Sequence, residues 1–240
     1  MGKLNSHFNF QESNHLLNLH AHPVMVKVEF HCHTCYSKDS QVNLQDMLAT
    51  CQQRGIQRLV VTDHNSIEGA LEAYALDPDR FIVGEEIKTQ HGELLGIFMK
   101  ELVPAHLSAL ETIEILRSQG AFISVSHPFD LFRSGHWELE NLVKIVPYID
   151  AIEIFNSRCM FNRFNKLAQE FARQHYLLGT VGSDSHHTSE IGTATLTLPD
   201  FYDAISLKDA LAQSQPDVRL SPPWVHFYSR QAARQKRATK

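Results

Sequence analysis

The sequence has no apolar stretch long enough to cross a bilayer. Its longest apolar runs are about six residues, where a spanning helix needs about twenty. Cysteine is scarce. Cys32, Cys35, Cys51 and Cys159 are the only four in 240 residues, too few for a disulfide scaffold at this length, so a reduced, cytoplasmic protein is expected. Cys32 and Cys35 have C-x-x-C spacing, but no second pair follows, which argues against a zinc ribbon. The pair also lies inside a histidine cluster, a poor setting for a thioredoxin-like redox motif. Gly-x-Gly-x-x-Gly and Walker A sequences are absent, which weakens nucleotide-fold readings. No Gly-x-Ser-x-Gly elbow supplies a serine nucleophile. Residues 1–23 are polar and carry no apolar core of a secretory signal. Gly2 and Ser6 fit the short myristoylation pattern, which is read as a chance match. Residues 24–220 hold no Gly-, Pro- or Ser-rich linker and no fixed-period repeat.

What the chain does have is histidine, 15 residues in 240. Hydrophobic content of 43% with 20% charged residues fits a folded globular chain. The length suits one domain, able to bury roughly 70–75% of its unfolded surface. The formal charge of −5 is uneven: Ser229 to Lys240 holds five of the 22 basic residues and no acid. The remaining body has 17 basic against 27 acidic residues, a formal −10, and is no polyanion-binding surface overall. The basic end is expected to be a solvated, frayed terminus, with nucleic-acid contact as the alternative. The organisation expected is an N-terminal extension over 1–23, a catalytic domain over 24–220 and a basic tail over 221–240.

Short apolar runs alternate with helical stretches. Strands are expected at Val24–Phe30, Ile56–Val61, Arg80–Val83, Ala121–Ser126, Ile149–Phe155, Tyr176–Val181 and Thr193–Leu198. Helices are expected at Val42–Arg54 (stopped by Gly55), Ser66–Leu76 (capped by Ser66), Ser108–Gln119, Glu138–Val146, Asn162–His175 and Leu207–Gln213. Ile87–Thr89 and Leu94–Met99 flank a Gln90-His91-Gly92 turn and read as a hairpin. The alternation calls for parallel strands joined by helical crossovers. About seven such units suit a small α/β barrel, with an open doubly wound sheet as the alternative.

The ends of these strands carry the chemistry. They deliver His31-Cys32-His33 with Asp39 beyond, Thr62-Asp63-His64, Gly84-Glu85-Glu86, His127-Pro128, Glu153 with Asn156, and Asp184-Ser185-His186-His187. His-x-His on a strand puts both imidazoles on one face. Each motif alone also has a plain structural explanation: a surface histidine pair, a helix cap, a solvated charge pair. Six such motifs in register with strand ends do not, because the C-terminal strand ends of an α/β barrel converge on one face. Imidazoles and carboxylates without thiolates suit zinc, manganese, iron or magnesium. Eight or more ligands exceed the four of one zinc, so two or three divalent ions are expected. Such a cluster generates a metal-activated hydroxide and clamps the oxygens of a phosphoester.

Together these segments resemble the polymerase and histidinol phosphatase (PHP) family over about residues 25–200. The motifs that match are His31-Cys32-His33, Asp39, Thr62-Asp63-His64, Gly84-Glu85-Glu86-Ile87, Ser126-His127-Pro128-Phe129-Asp130, Glu153-Ile154-Phe155-Asn156 and Gly182-Ser183-Asp184-Ser185-His186. The resemblance implies a distorted (β/α)7 barrel, a metal cluster and phosphoester hydrolysis. It implies that His31, His33, Glu86 and Asp184 hold one metal, that Asp39, His64 and His186 hold a second, and that Glu86 and His127 reach a third. The sequence departs from the family at that third metal. Many members have a histidine where this chain has Glu93, so either Glu93 or His91 from the turn would complete it.

Other side chains have candidate roles. Arg158 and, more weakly, Arg133 are placed to clamp a substrate phosphate, with surface ion pairing as the alternative. His187 is a candidate acid for the leaving oxygen, or a solvated neighbour of a ligand. Glu153 would fix a ligand imidazole. His7, His15, His20, His22, His106, His136, His175 and His226 match no motif and are read as surface or packing residues. The expected activity is hydrolysis of a small phosphomonoester or nucleotide, since the compact Met99–His127 stretch leaves no room for a large inserted domain. One alternative is a related C–N hydrolase with a bridging modified lysine, for which Lys27 and Lys88 are poorly placed. The other is a non-catalytic metal-bound scaffold or nucleic-acid module.

Overall fold

A computed structural model of the chain describes residues 23–238. The expected N-terminal extension, the Gly2–Ser6 pattern, His7, His15, His20 and His22 lie outside the described residues. Strands β1 (Met25–Cys32), β2 (Arg58–Val61), β3 (Phe81–Lys88), β4 (Glu93–Ile97), β5 (Phe122–Val125), β6 (Ala151–Asn156), β7 (Leu178–Gly182), β8 (Ala194–Pro199) and β9 (Gln215–Val218) form one sheet. Its order is β7-β6-β5-β4-β3-β2-β1-β8-β9. Helices α1 (Leu44–Arg54), α2 (Glu68–Leu76), α3 (Ala109–Ser118), α4 (Leu139–Ile145), α5 (Asn162–His175), α6 (Ala204–Leu211) and α7 (Val225–Ala238) complete the fold.

The first seven strands curl into a barrel that closes at one end only. Near its start, β1 pairs antiparallel with β8, Met25 facing Pro199 and Val28 facing Leu196. At its far end β1 turns to the segment after β7: Asp184 N donates to His31 O (2.8 Å) and His33 N to Ser185 O (3.0 Å). The closure therefore sits among the expected ligands, and the barrel is distorted rather than regular.

The strands are not all parallel as expected. The β1–β2, β2–β3, β5–β6 and β6–β7 pairs are parallel, while β3–β4, β4–β5, β1–β8 and β8–β9 are antiparallel. The β3–β4 pair is the hairpin expected at Gln90-His91-Gly92, a turn too short for a crossover; the other antiparallel pairs were not expected. Arg80–Val83 and Ile87–Thr89 also prove to belong to one strand, because Gly84-Glu85-Glu86 stays in the ladder opposite Leu95–Ile97.

Local signals explain several helix limits. Asn43 Oδ1 accepts from Asp46 N (2.8 Å) at the start of α1, and Gly55 ends it at φ 64°. Ser108 and Glu111 form a reciprocal capping box on α3. Helix α2 begins two residues later than expected. Ser66 Oγ still accepts from Glu68 N, at 3.4 Å. Burial follows strand periodicity. Leu59 and Val61 join the apolar layer shared with α1, α2, α3 and α5, whereas Val60 joins a second cluster with Ile82, Phe122, Phe30 and Phe201. On β3, Gly84 and Glu86 share the face of Ile82 at a period of two. That face is thus apolar at the strand's start and carries Glu86 near its end.

Two elements went unforeseen, β9 and α7. Helix α7 corrects the frayed-tail reading: Val225 and Ala232, seven residues apart on one face, are buried, and Lys236 Nζ donates to Ser37 O (2.7 Å) and Cys35 O (2.5 Å).

One buried acid beneath the site yields a stability prediction. Glu29 is fully buried and accepts from Ser183 Oγ and Gly192 N; burial pushes its carboxyl up to about 8. The unfolded chain ionises this group near 4.5 and the folded chain does not, so its contribution is lost as pH rises from about 4.5 to 8. Glu29→Gln is expected to remove that decline. Between pH 5 and pH 8, denaturant titrations should show wild type losing on the order of 2–4 kcal/mol more than the variant. Parallel curves would contradict the assignment.

Candidate metal centre

The expected ligands reach the C-terminal end of the barrel by their strands, except Asp39, which comes from the loop between β1 and α1. His31 lies in β1, and His33 follows it. His64 follows β2, and its backbone forms a bridge to Glu86 of β3. His127 follows β5; Asp184 and His186 follow β7. His127 and Asp184 sit at φ 22° and φ 54°, a region uncommon for non-glycine residues and enriched at functional sites. Both are held there by hydrogen bonds. Glu153 Oε2 accepts from His127 N (2.8 Å), and His31 O accepts from Asp184 N (2.8 Å). Gly182 has no side chain for a steric reason: a Cβ there would lie 2.2 Å from His31 Cβ.

The side chains converge. His31 Nε2 is 3.2 Å from His33 Nε2. Glu86 stands between the groups. Its Oε2 is 2.8 Å from His64 Nδ1 and 3.4 Å from His33 Nε2, and its Oε1 is 3.0 Å from His127 Nε2 and 3.4 Å from His31 Nε2. Asp184 Oδ1 lies 3.1 Å from His33 Nε2 and 3.7 Å from His31 Nε2. Asp39 Oδ1 lies 3.5 Å from His64 Nε2 and 3.4 Å from His186 Nε2. Three triads have ligand atoms within 4.8 Å of one another: His33, His64 and His186; His31, His33 and Glu86; and Glu86, Glu93 and His127.

These donors fit divalent cations on an observation independent of motif. Asp39 Oδ1, Glu86 Oε2 and Asp184 Oδ1 are buried without a hydrogen-bond partner, a costly state for a carboxylate oxygen. Each faces imidazole nitrogens at the distances above. All-nitrogen-and-oxygen donors suit zinc, manganese, iron or magnesium. Cys32 does not add a thiolate: its Sγ contacts Ser185 Oγ at 2.7 Å, and burial pushes its thiol well up.

Electrostatics divides the imidazoles. Burial opposes charge on His31 and His64, yet their carboxylate neighbours outweigh it. Glu86, Asp184 and Glu153 hold His31 well above the usual range, and Glu86 and Asp39 do the same for His64. His33 moves the other way, lowered by burial and then by His64 and His186. His186 is lowered by burial and then by Arg158. Despite burial, Glu86 and Asp184 are held well below the carboxylate range, Glu86 by His31 and His64, Asp184 by Arg133 and His31.

At the third triad the structure separates the two candidates. Glu93 Oε2 lies 3.5 Å from His127 Nε2. His91 is turned away, its Nδ1 accepting from Ala109 N (3.3 Å) at the start of α3. Gly135 makes room for Glu93, since a Cβ there would stand 1.7 Å from Glu93 Oε2.

Supporting contacts set the ligand rings. Glu153 Oε1 is 3.0 Å from His31 Nδ1, and its Oε2 also accepts from Asn156 Nδ2 (3.0 Å). Ser37 escaped the sequence reading, and Ser126 stood in a matching motif with no role given to it. Ser37 Oγ lies 3.2 Å from His33 Nδ1 and donates to Asp63 Oδ1 (2.6 Å); Ser126 Oγ donates to Glu86 Oε1 (2.7 Å). The signal available for Ser37 was only its four-residue offset from His33.

Three softer assignments look different in the fold. Arg158 is buried and held through both Nη atoms: Nη2 donates to Val225 O (3.1 Å) and Ser229 Oγ (2.9 Å), Nη1 lies 2.5 Å from His186 Nδ1, and Nε stands 3.3 Å from Glu190 Oε1 without a hydrogen bond. A guanidinium with these partners has no fork left for a phosphate, so Arg158 is a structural tie. Arg133 pairs with Asp184 and lies 3.8 Å from Asp130, but keeps an edge in the cavity beside the metal triads. His187 is exposed and stacks on Tyr228 at 5.4 Å, turned to α7 rather than to the ligands. Lys27 pairs with Asp217, and Lys88 donates to Ser134 Oγ (3.1 Å); neither is in position to bridge metals.

Imidazoles and carboxylates gathered at the C-terminal end of a seven-stranded barrel define a barrel protein built to bind metal. The chain belongs to the PHP domain family, whose sequence pattern it matches over residues 29–181; residues 162–213 match the PHP-associated family. It is 35% identical over 173 residues to an uncharacterised protein of Methanocaldococcus jannaschii, covering 70% of this chain and 69% of that one. A two-domain protein from Bacteroides vulgatus, containing a predicted PHP-like metal-dependent phosphoesterase, shares the fold. Its TM-score is 0.68 at 15% identity, over 88% of this chain and 70% of that one. A lesion-specific endonuclease from Pyrococcus furiosus shares it at TM-score 0.59 and 16% identity, over 80% of this chain and 58% of the other.

Proposed function

We propose that the protein is a metal-dependent phosphoesterase acting on a small phosphomonoester or nucleotide in a reducing, cytoplasmic setting. The observation that carries this reading is the set of three buried carboxylate oxygens, on Asp39, Glu86 and Asp184, that lack hydrogen-bond partners and face imidazole nitrogens. His31, His33, Glu86 and Asp184 would hold one ion, Asp39, His64 and His186 a second, and Glu86, His127 and Glu93 a third. Bound there, divalent ions supply an activated water and neutralise the phosphoryl oxygens.

The chain's own residues do the rest. The Glu153 carboxylate holds the His31 ring and accepts from the backbone nitrogen of His127. Ser37 holds His33, and Ser126 turns Glu86 toward the shared centre. Such outer contacts fix ring orientation and ligand basicity. Arg133 places positive charge at the cavity wall. Two cavities with Asp39 in their walls, of about 190 and 440 Å³, open beside the triads, the larger within the size range of small-molecule sites. Among the described residues, no helix is long and apolar enough to cross a membrane.

The test is a phosphatase panel with added Mn²⁺, run on wild type and on His33→Ala, with metal analysis of both. Two or three ions per wild-type chain and a loss of at least about 100-fold in the variant are expected, since even outer-shell partners are worth about 10–100-fold. No bound ion, or equal phosphate release by both proteins, would overturn the reading.

A further inference from the structure

Resting on the phosphoesterase reading, we propose that helix α7 is a wall of the catalytic cavity and that Arg230 on it holds the anionic group of the substrate. The argument begins with charge. The smaller cavity at the metal triads has Asp39 and His186 in its wall, together with three arginines: Arg133, Arg158 and Arg230. Arg133 is paired with Asp184, and Arg158 with Glu190 and the carbonyl and hydroxyl of α7. Arg230 is exposed and makes no ion pair among the described residues. It is therefore the guanidinium of that wall whose fork no ion pair holds, able to offer both nitrogens to phosphate or carboxylate oxygens.

The helix is fixed where this role needs it. Arg158, from the loop after β6, ties down Val225 and Ser229 at its start. Lys236 ties its last turn to the carbonyls of Cys35 and Ser37, in the loop between His33 and Asp39. Between these ties the helix passes Asp39. Its Ser229 and Arg230 face the smaller cavity, and Ala233, Lys236 and Arg237 face the larger one. Arg230 and Arg237 are seven residues apart, hence about 10 Å apart on one side of the helix. The basic end that left the body at a formal −10 is thus laid across the metal face. It supplies cationic charge where an anionic substrate must approach a carboxylate-rich centre.

The test uses the full-length, metal-loaded protein. For the best substrate of the panel, Arg230→Ala is expected to raise KM about 10-fold with kcat within about 2-fold, the signature of lost binding rather than lost chemistry. The inhibition constant of inorganic phosphate should rise by the same factor, and Arg230→Lys should recover part of both. Arg234→Ala, on the same helix but outside both cavities, should leave them unchanged. Calorimetric titration with inorganic phosphate reads the same contrast without turnover. Wild-type inactivity across the panel would overturn the phosphoesterase reading. Equal phosphate affinity in wild type and Arg230→Ala, or an equal effect of Arg234→Ala, would overturn the assignment of Arg230.

Discussion

Glu86→Gln is expected to cost more than any other single change at the centre: at least about 100-fold in turnover, with bound metal falling by one to two ions per chain. The substitution keeps the shape and removes one charge and one acceptor oxygen. That carboxylate belongs to two of the three triads, and it lies within 3.4 Å of His31, His33, His64 and His127. Losing it weakens two of the three ions directly, where loss of Asp39 or Glu93 touches one. An outer partner makes the contrast measurable. Glu153→Gln perturbs the setting of His31, His127 and Asn156 without removing a metal-facing oxygen, so it should lower metal affinity by about 10–100-fold and recover activity in excess metal. Metal titrations of both variants check this. Recovery of Glu86→Gln by excess metal would show that the carboxylate is not shared.

Removing metal is expected to produce the second large effect, a drop in melting temperature that grows with pH. An ion at 1,000 times its Kd contributes about 4 kcal/mol, or about 8–16 °C for a domain of this size. The pH dependence follows from the imidazoles. Glu86 and neighbouring carboxylates hold His31 and His64 well above the usual range, so in the metal-free protein both carry a proton near neutrality. Their pairing contributes stability that is full below the ordinary histidine pKa and lost as pH rises through the raised one. Metal binding displaces those protons, so the bound state gains as pH rises. Calorimetric scans with and without chelator at pH 6 and pH 8 should show the larger gap at pH 8. An equal or smaller gap there would contradict the electrostatic account.

Much of this was legible in one dimension. Parallel β/α units put strand ends on one face, so His31, His33, His64, Glu86, His127, Asp184 and His186 could be grouped by their positions after apolar runs alone. The short Gln90-His91-Gly92 turn announced that β4 returns against β3, but the direction of β8 was not legible in the same way, because an apolar run says nothing about the strand beside it. Helix α7 was invisible for a related reason. Its buried stripe is little more than Val225 and Ala232, too narrow to mark an amphipathic helix, and its stability comes from partners far away in sequence.

The sequence by itself determined the donor set: imidazoles and carboxylates, few thiols, delivered at strand ends to a barrel of the PHP class. Only the tertiary structure decided how those donors are shared. It set Glu86 between the histidines, brought Glu93 rather than His91 to His127, and made Arg158 a tie between β6, Glu190 and α7. The reason is geometric. Residue type and period specify which face a side chain occupies, whereas partners separated by tens or hundreds of residues are fixed by strand pairing and by the docking of α7 across the barrel mouth.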